Sequence, residues 1–330
     1  MLAAAIERFS ASARNVEPGP WLDPRSRIAY ALMMLWGAAS VAILTLTNFT
    51  AEDWPRWMMF LSLCWAALCG ALARRYGLDR VAAFLEAVAI PPIIGALGCV
   101  LVISAASISG RFADDKLIVI DTALGFDWLA LFHFYQAHPW LVPISDQAYT
   151  TFGPQLVLVP LLIFLARREL LWRYITAYIL TLGATILVFP LAPAVGPYVY
   201  FHIPFGLLPG IGEGSDWQWH FGEWIAQLQS GEIRDITKVS AGLIQMPSFH
   251  AACGVLFIWA TNRIRYVRWP ALLLNLAMIL STFVRGAHYF SDVLAGCMLA
   301  LLAIWVASKF VPTDMASYSA TESTRSRGDP

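Results

Sequence analysis

Apolar segments of about 20 residues recur along this chain of 330 residues, and they constrain its fold more than any other feature. A helix needs roughly that many apolar residues to cross the hydrocarbon core of a bilayer. Hydrophobic residues make up 58% of the chain and charged residues only 13%, whereas an ordinary soluble domain carries about 25% charged residues. The sequence therefore predicts an all-α fold, a polytopic membrane helix bundle.

The apolar segments predict about eight transmembrane helices. They cover residues 26–48, 55–73, 81–106, 150–166, 170–191, 248–262, 269–285 and 290–310. Of the 22 Lys and Arg residues, 16 lie in the termini and in every second connection. Cytoplasmic connections carry an excess of Lys and Arg. We therefore predict that both termini are cytoplasmic and that residues 248 and 285–292 lie at the opposite, extracytoplasmic face.

The net charge of the chain is zero, because 22 basic residues balance 22 acidic residues. This balance excludes a basic nucleic-acid-binding protein, so no nucleic acid is expected as a partner. One acidic residue, Glu86, falls inside the third predicted span. We expect it to pair with Arg80 or to reach the membrane surface.

Two connections on the predicted outer side are long, at 107–149 and 192–247. Each contains an amphipathic stretch, at 126–134 and at 221–228. The second has apolar residues at helical spacing and Gly231 as its predicted cap. These stretches are predicted to be helices that lie in the outer headgroup layer. The alternative is a lid packed on the bundle.

Two polar clusters lie where the outer ends of the predicted spans should meet. The first contains Ser248 and His250, and the second contains Arg285, His288 and Asp292. His288 and Asp292 are four residues apart, so on a helix they share one face. A carboxylate that holds one imidazole nitrogen leaves the other with an exposed lone pair, as a histidine nucleophile or base requires.

The remaining residues of the clusters fit the chemistry of a phosphate ester. His250 is a second imidazole that can protonate a leaving oxygen and later deprotonate the attacking group. Ser248 and the amides at the start of its helix can bind an anion, and Arg285 adds a cation. Two histidines and one aspartate could instead hold a metal ion. A transporter without chemistry is a further alternative, but it predicts ionisable groups near the membrane midplane.

The motif Pro-Ser-x-His at Pro247–His250, followed by His-x-x-x-Asp at His288–Asp292, resembles the type 2 phosphatidic acid phosphatase superfamily. The resemblance covers residues 120–310. It implies that His288 is a nucleophile forming a phosphohistidine, that Asp292 orients it, and that His250 is the general acid and base. It also implies a catalytic core of six helices, with the site on the outer face and with no metal and no cofactor.

The sequence departs from the usual superfamily pattern at two places. Ser281 and Thr282 stand where the third motif usually has Ser-Arg, and Phe189–Pro193 stands where the first motif has its Lys and Arg. These changes are similar to the branch of inositol phosphorylceramide synthases, and residues 124–128 look like its bacterial members. The resemblance thus implies a bacterial inner-membrane phosphoesterase or phosphotransferase that acts on a lipid phosphate or a phospholipid headgroup. The branch favours transfer, for which a lipid alcohol is a possible acceptor. A simple lipid phosphate phosphatase is the alternative.

These expectations divide the chain into four parts. They are a cytoplasmic N-terminal segment (1–25), N-terminal transmembrane helices (26–106), a catalytic membrane core (107–311) and a disordered cytoplasmic tail (312–330).

Overall fold

The computed structural model describes residues 19–208, 216–239 and 242–313. Its helices, numbered in chain order, are α1 (Arg27–Leu46), α2 (Trp54–Arg75), α3 (Asp79–Ser107), α4 (Asp114–Ala123), α5 (Trp128–Ala137), α6 (Leu141–Thr150), α7 (Phe152–Arg167), α8 (Leu171–Val188), α9 (Pro197–Tyr200), α10 (Phe221–Ser230), α11 (Phe249–Thr261), α12 (Arg268–Ser281) and α13 (Phe290–Phe310). Within the described ranges the extended structure is limited to one isolated bridge between Thr50 and Asp235. The predicted all-α polytopic bundle is confirmed.

Each of the eight predicted spans corresponds to one helix, namely α1, α2, α3, α7, α8, α11, α12 or α13. Among the described residues, five stretches are long and apolar enough to cross a membrane, or six if the bent pair α4 and α5 counts as one. One of these stretches, Phe152–Leu191, contains both α7 and α8. Helices α11 and α12 are apolar but shorter, at 13 and 14 residues. These helices make the chain an integral membrane protein, and the number of crossings stays a prediction.

Helix α8 lies at the centre of the bundle. Tyr174, Ile175 and Ala177 are each fully buried, and together they cover more than one face of the helix. A helix that is apolar all round must be surrounded by other helices or by lipid, and α8 packs against α1, α3, α11 and α13. By contrast, α2 packs mainly on α3 and exposes large apolar side chains such as Met59 and Trp65.

The cationic connections meet at one end of the bundle. Arg25, Arg80 and Arg168 line a single cavity there, and Arg173 Nε at the start of α8 donates to the carbonyl of Val311, 2.8 Å away. The opposite end holds the N-termini of α7 and α11, where Phe152 contacts His250. Helices α7 and α8 are therefore antiparallel and separated by the short turn Arg168–Leu170. The direction of the bundle across the membrane stays a prediction.

Glu86 is fully buried and pairs with Arg74 at the end of α2, so the expected pairing with Arg80 is wrong. The hydroxyl of Tyr30 on α1 donates to the other carboxylate oxygen at 3.4 Å. Arg74 is also buried, and it lies 3.2 Å from the exposed Asp79. A charge in the membrane is costly unless it is paired, and here one carboxylate links α1, α2 and α3.

The two long outer connections form short helices at the end of the bundle opposite the basic cavity. Helix α10 ends at Gly231, whose φ of 77° is left-handed as predicted. Its residues Phe221, Ile225 and Leu228 are buried against Ile103 and other residues of α3. Helix α10 is thus packed on the bundle, and the position of both stretches relative to the headgroup layer stays a prediction. Helices α4 and α5 meet at 81°, and α6 packs on α12.

Most of the predicted cytoplasmic N-terminal segment and of the predicted disordered tail lies outside the described residues.

Candidate active site

His288 and Asp292 lie together at the start of α13. The imidazole is 4% exposed and the carboxylate is fully buried, with Nδ1 of His288 3.5 Å from Oδ2 of Asp292. Within the described part of the chain, neither Nδ1 of His288 nor Oδ1 of Asp292 has a hydrogen-bond partner. Oδ2 of Asp292 accepts from the backbone N–H of Tyr289 at 3.0 Å. The carboxylate therefore faces the imidazole and also caps its own helix.

A backbone hydrogen bond joins the two histidine motifs. The N–H of Ser248 donates to the carbonyl of Asp292 at 3.0 Å. The close contact between the start of α11 and α13 requires glycine at position 296, because a Cβ there would lie 2.1 Å from the carbonyl oxygen of Ser248. The start of α11 is thus held against the first turn of α13, which brings the motif of His250 beside the motif of His288.

The ring of His250 is half-buried between two aromatic side chains. Tyr149 stacks on one face at 4.2 Å between centroids, and Phe152 covers the imidazole at 4.1 Å. These residues end α6 and begin α7. The contacts fix the plane of the ring and leave it bordering the same cavity as His288.

Arg285 lies in the turn between α12 and α13, three residues before His288. Its Nε donates to a carboxylate oxygen of Asp146 on α6, and its guanidinium lies 5.6 Å from the ring centre of Trp217. The side chain is 13% exposed and also lines the cavity. A cation therefore lines the same cavity as both imidazoles, and its role in binding substrate stays a prediction.

Ser248 is buried, and its hydroxyl accepts from the backbone N–H of Ala251 at 3.4 Å. It is the N-cap of α11. Its side chain does not line the cavity that His250, Arg285 and His288 share. The hydroxyl thus has a structural role in positioning His250, and its predicted contact with substrate has no support from this geometry.

The shared cavity has a volume of about 830 Å³. Its polar lining includes Asp216, Gln245, His250, Arg285 and His288, and its other walls come from α3, α6, α7, α8 and α10. A cavity of this size, mostly apolar with a few convergent polar groups, is typical of a small-molecule or lipid site. Among the described residues there is no cluster of three or more His, Cys, Asp or Glu side chains with the geometry of a metal site.

Sequence reasoning missed two acidic residues of α4 that hold the start of α13. Both oxygens of Asp121 accept from first-turn amides, one from Phe290 at 2.7 Å and the other from Ser291 at 2.8 Å. Asp114 accepts from Tyr289 Oη at 2.8 Å and from the amides of residues 195 and 196. Both carboxylates are buried. Their separation of seven residues, which places them on one helix face, was the available signal.

Tyr289 stays a hydrogen-bond donor at this position. Burial, together with the negative charge of Asp114, raises the pKa of the Tyr289 phenol. The neutral hydroxyl therefore donates to Asp114 throughout the physiological range. This contact ties α4 to the residue between His288 and α13.

The backbone before His288 is strained. Ala287 has a φ of 55°, a left-handed conformation that is unfavourable for a residue with a side chain. At Gly286 a Cβ would lie 2.7 Å from the imidazole of His288 and 2.6 Å from the carbonyl of Thr282. Strain of this kind persists only where the surrounding contacts over-determine it, and it is concentrated at functional sites.

Residues 115–306, more than half of the chain, match the profile of the PAP2 superfamily. This chain belongs to the PAP2 superfamily. The predicted superfamily is thus confirmed, and members of the PAP2 superfamily are in general phosphatases or phosphotransferases. Membership supports an enzyme of the lipid phosphatase or phosphotransferase type, with a lipid phosphate substrate at the membrane. No curated protein and no solved structure matches the chain.

Proposed function

We propose that this protein transfers a phosphorylated headgroup from a phospholipid to a lipid alcohol through a phosphohistidine at His288. The observation that carries the proposal is the convergence of His250, Arg285 and His288 on one cavity with a largely apolar wall, with Asp292 beside His288. Transfer is favoured over hydrolysis by the likeness of residues 189–193 and 288–292 to the inositol phosphorylceramide synthase branch.

The first step uses the two imidazoles in opposite roles. With Nδ1 of His288 facing Asp292, the lone pair of Nε2 attacks the phosphorus, and a P–N bond forms as the P–O bond to the diacylglycerol breaks. Asp292 stabilises the positive charge that develops on the ring. Protonated His250 gives its proton to the departing oxygen, so that diacylglycerol leaves as a neutral alcohol. Arg285 balances the charge on the phosphoryl oxygens.

The second step reverses these roles. His250, now neutral, takes the proton from an incoming hydroxyl group, and that oxygen attacks the phosphorus. The P–N bond breaks and its electron pair returns to His288. A lipid alcohol gives a new phospholipid, whereas water would give a free phosphorylated headgroup. With a lipid phosphate as substrate, water would give inorganic phosphate, which is the phosphatase alternative. The same side chains serve both acceptors.

The proposed orientation places this chemistry at the extracytoplasmic face, the periplasmic side of a bacterial inner membrane. It is supported by the position of the basic connections at the end of the bundle opposite His250 and His288. A catalytic core within residues 107–311, preceded by the helices of 26–106, is part of the same proposal.

The test supplies the purified protein with phosphatidylinositol that carries labelled phosphate, with and without a ceramide or diacylglycerol acceptor. We expect a labelled new lipid that requires the acceptor. His288→Ala should lower turnover by at least about 10³-fold, since a nucleophile cannot be replaced by its neighbours. Release of labelled inositol phosphate at a rate independent of acceptor would identify hydrolysis instead of transfer, and release of labelled inorganic phosphate from phosphatidic acid alone would identify a lipid phosphate phosphatase. Turnover by His288→Ala at the wild-type rate would reject the nucleophile.

A further inference from the structure

The cavity that holds both histidines extends away from them into the apolar part of the bundle. Its far walls come from three helices, with Gly95, Gly98 and Cys99 on α3, Leu156 on α7 and Leu182 on α8. Helix α3 precedes residues 115–306, which match the PAP2 superfamily. The far wall therefore belongs in part to a segment that the superfamily match does not include.

The glycines of α3 shape this space in different ways. At Gly98 a Cβ would lie 2.7 Å from Cδ2 of Leu182, so α3 and α8 are in contact there and close one side of the cavity. At Gly95 the nearest atom to an added Cβ is the hydroxyl of Tyr178, at 3.9 Å, which is ordinary contact distance. A larger side chain at Gly95 therefore enters the space between α3 and α8.

A further observation points to a ligand in this cavity, and a cysteine in its wall can report on it. Gln245 is 1% exposed and lines the cavity, and its Oε1 has no hydrogen-bond partner among the described residues. A buried acceptor of this kind is costly unless a donor, such as a hydroxyl group of a ligand, reaches it. Cys99, in the last third of α3, lines the same cavity and is exposed.

We propose that the space between α3 and α8 binds one acyl chain of the lipid substrate and that Gly95 sets the chain length accepted. The inference rests on the proposed function, because the chain bound here belongs to the lipid whose phosphate reaches His288. An acyl chain fits because the walls at α3, α7 and α8 are apolar while the charged groups lie at the other end. Helix α3 is then a specificity element for the PAP2 core.

The kinetic test compares phosphatidylinositol with six-carbon and with sixteen-carbon chains in mixed micelles, with ceramide as the acceptor. Gly95→Leu should lower kcat/KM for the long-chain lipid at least tenfold more than for the short-chain lipid, because each displaced methylene is worth about fourfold. Gly37→Leu is the matched control, since a side chain at that α1 glycine meets open space away from the cavity. An equal loss for both lipids, or no loss for either, would overturn the inference.

The binding test uses Cys99 as a reporter and does not depend on turnover. His288→Ala is treated with a maleimide in the presence of each lipid, and alkylation is quantified by peptide mass spectrometry. The long-chain lipid should slow labelling of Cys99 several-fold, and the short-chain lipid should not. Cys64 on α2, which does not line the cavity, is the internal control. Equal labelling of Cys99 with and without long-chain lipid would reject the site.

The two tests separate the inference from the proposed function. Protection of Cys99 without turnover of any phospholipid by the wild-type protein would refute the enzyme and keep the lipid site. Turnover without protection and without an effect of Gly95→Leu would keep the enzyme and refute the chain site.

Discussion

Asp121 lies far from the candidate nucleophile in sequence and positions the start of the helix that follows it. Its two carboxylate oxygens accept from the amides of Phe290 and Ser291, which begin the helix of Asp292. Charged acceptors at a helix N-terminus are stabilising because the amides there have no partner within the helix. Asp121 does not line the cavity of the histidines, so it acts through the backbone of α13.

We predict that Asp121→Asn lowers kcat by about a hundredfold, which is the effect of a misplacement of about 1 Å in a catalytic group. An amide presents a donor to one of the two N–H groups, so α13 loses one of its two contacts. Asp127→Asn is the control, because Asp127 is an exposed aspartate that accepts from a single helix N-terminal amide, that of Ala130. The measurement is kcat and KM together with thermal unfolding in detergent.

A positioning role predicts that kcat falls while KM and the unfolding temperature change little, and that the control variant keeps wild-type kcat. If both variants lose the same small amount of stability and neither loses kcat, Asp121 is only a helix cap.

At the scale of elements, the contact between α11 and α13 brings the two motifs together. Gly296→Ala would place a methyl group 2.1 Å from the carbonyl oxygen of Ser248. We predict that this substitution destabilises the protein by about 1–3 kcal/mol, as overpacking does, although alanine by itself favours a helix. The hydrogen bond from Ser248 to Asp292 should break, and turnover should fall with it.

The comparison is Gly37→Ala in α1, where an added methyl group meets no atom within 4 Å. Thermal unfolding should show no loss of stability for this variant. Wild-type stability and turnover in Gly296→Ala would mean that the close approach of α11 and α13 is not needed.

The lid helix α10 contains a pH-dependent contact at its start. His220 lies 3.0 Å from Asp216 and 3.0 Å from Glu223, one at each ring nitrogen. The hydrogen bond with Asp216, and then that with Glu223, raises the pKa of His220 above its ordinary value of 6.5. The stability that these two hydrogen bonds give to the start of α10 is therefore complete below pH 6.5. It is lost as the pH rises through the raised pKa of His220.

We predict that the amides of α10 exchange hydrogen faster, after correction for the intrinsic rate, as the pH rises through the raised pKa of His220. His220→Gln should remove this dependence, whereas His133→Gln on α5 should retain it. Identical profiles for wild type and His220→Gln would show that the contact does not hold the lid.

At the scale of the whole molecule, the pair of Arg74 and Glu86 connects the first three helices. Removing one partner of a buried ion pair leaves an uncompensated charge and costs about 3–5 kcal/mol. We predict a loss of stability of this size for Glu86→Ala and for Arg74→Ala, measured by thermal unfolding. The double variant Arg74→Met with Glu86→Leu should recover most of it, because both charges of the pair are removed together. The buried Asp23, 4.0 Å from Arg74, keeps its closer partner Arg25 at 2.7 Å. Asp79→Asn, which removes an exposed partner of Arg74, should cost about 1 kcal/mol or less.

If the double variant is less stable than both single variants, then the pair does not act as a compensated buried charge. Its role would instead depend on the shape of the two side chains.

The sequence by itself determined the helical class, the positions of eight apolar helices and the superfamily. These properties are local, because an apolar segment has a length and a motif has a spacing whatever surrounds it. The helix of residues 221–230 and its cap at Gly231 were predictable for the same reason. The bond between the carboxylate of Asp121 and the amide of Phe290 joins residues 169 positions apart, and no local pattern specifies such a pairing.

Only the tertiary structure decided which groups meet. In the folded protein Glu86 pairs with Arg74 and not with Arg80, and Ser248 caps a helix. His250 lies between Tyr149 and Phe152. Residues of α3 also form one wall of the cavity that the two histidines share. The physical reason is that a buried polar group is satisfied by whichever donor or acceptor the packing of distant helices brings within reach, and packing is a property of the whole chain.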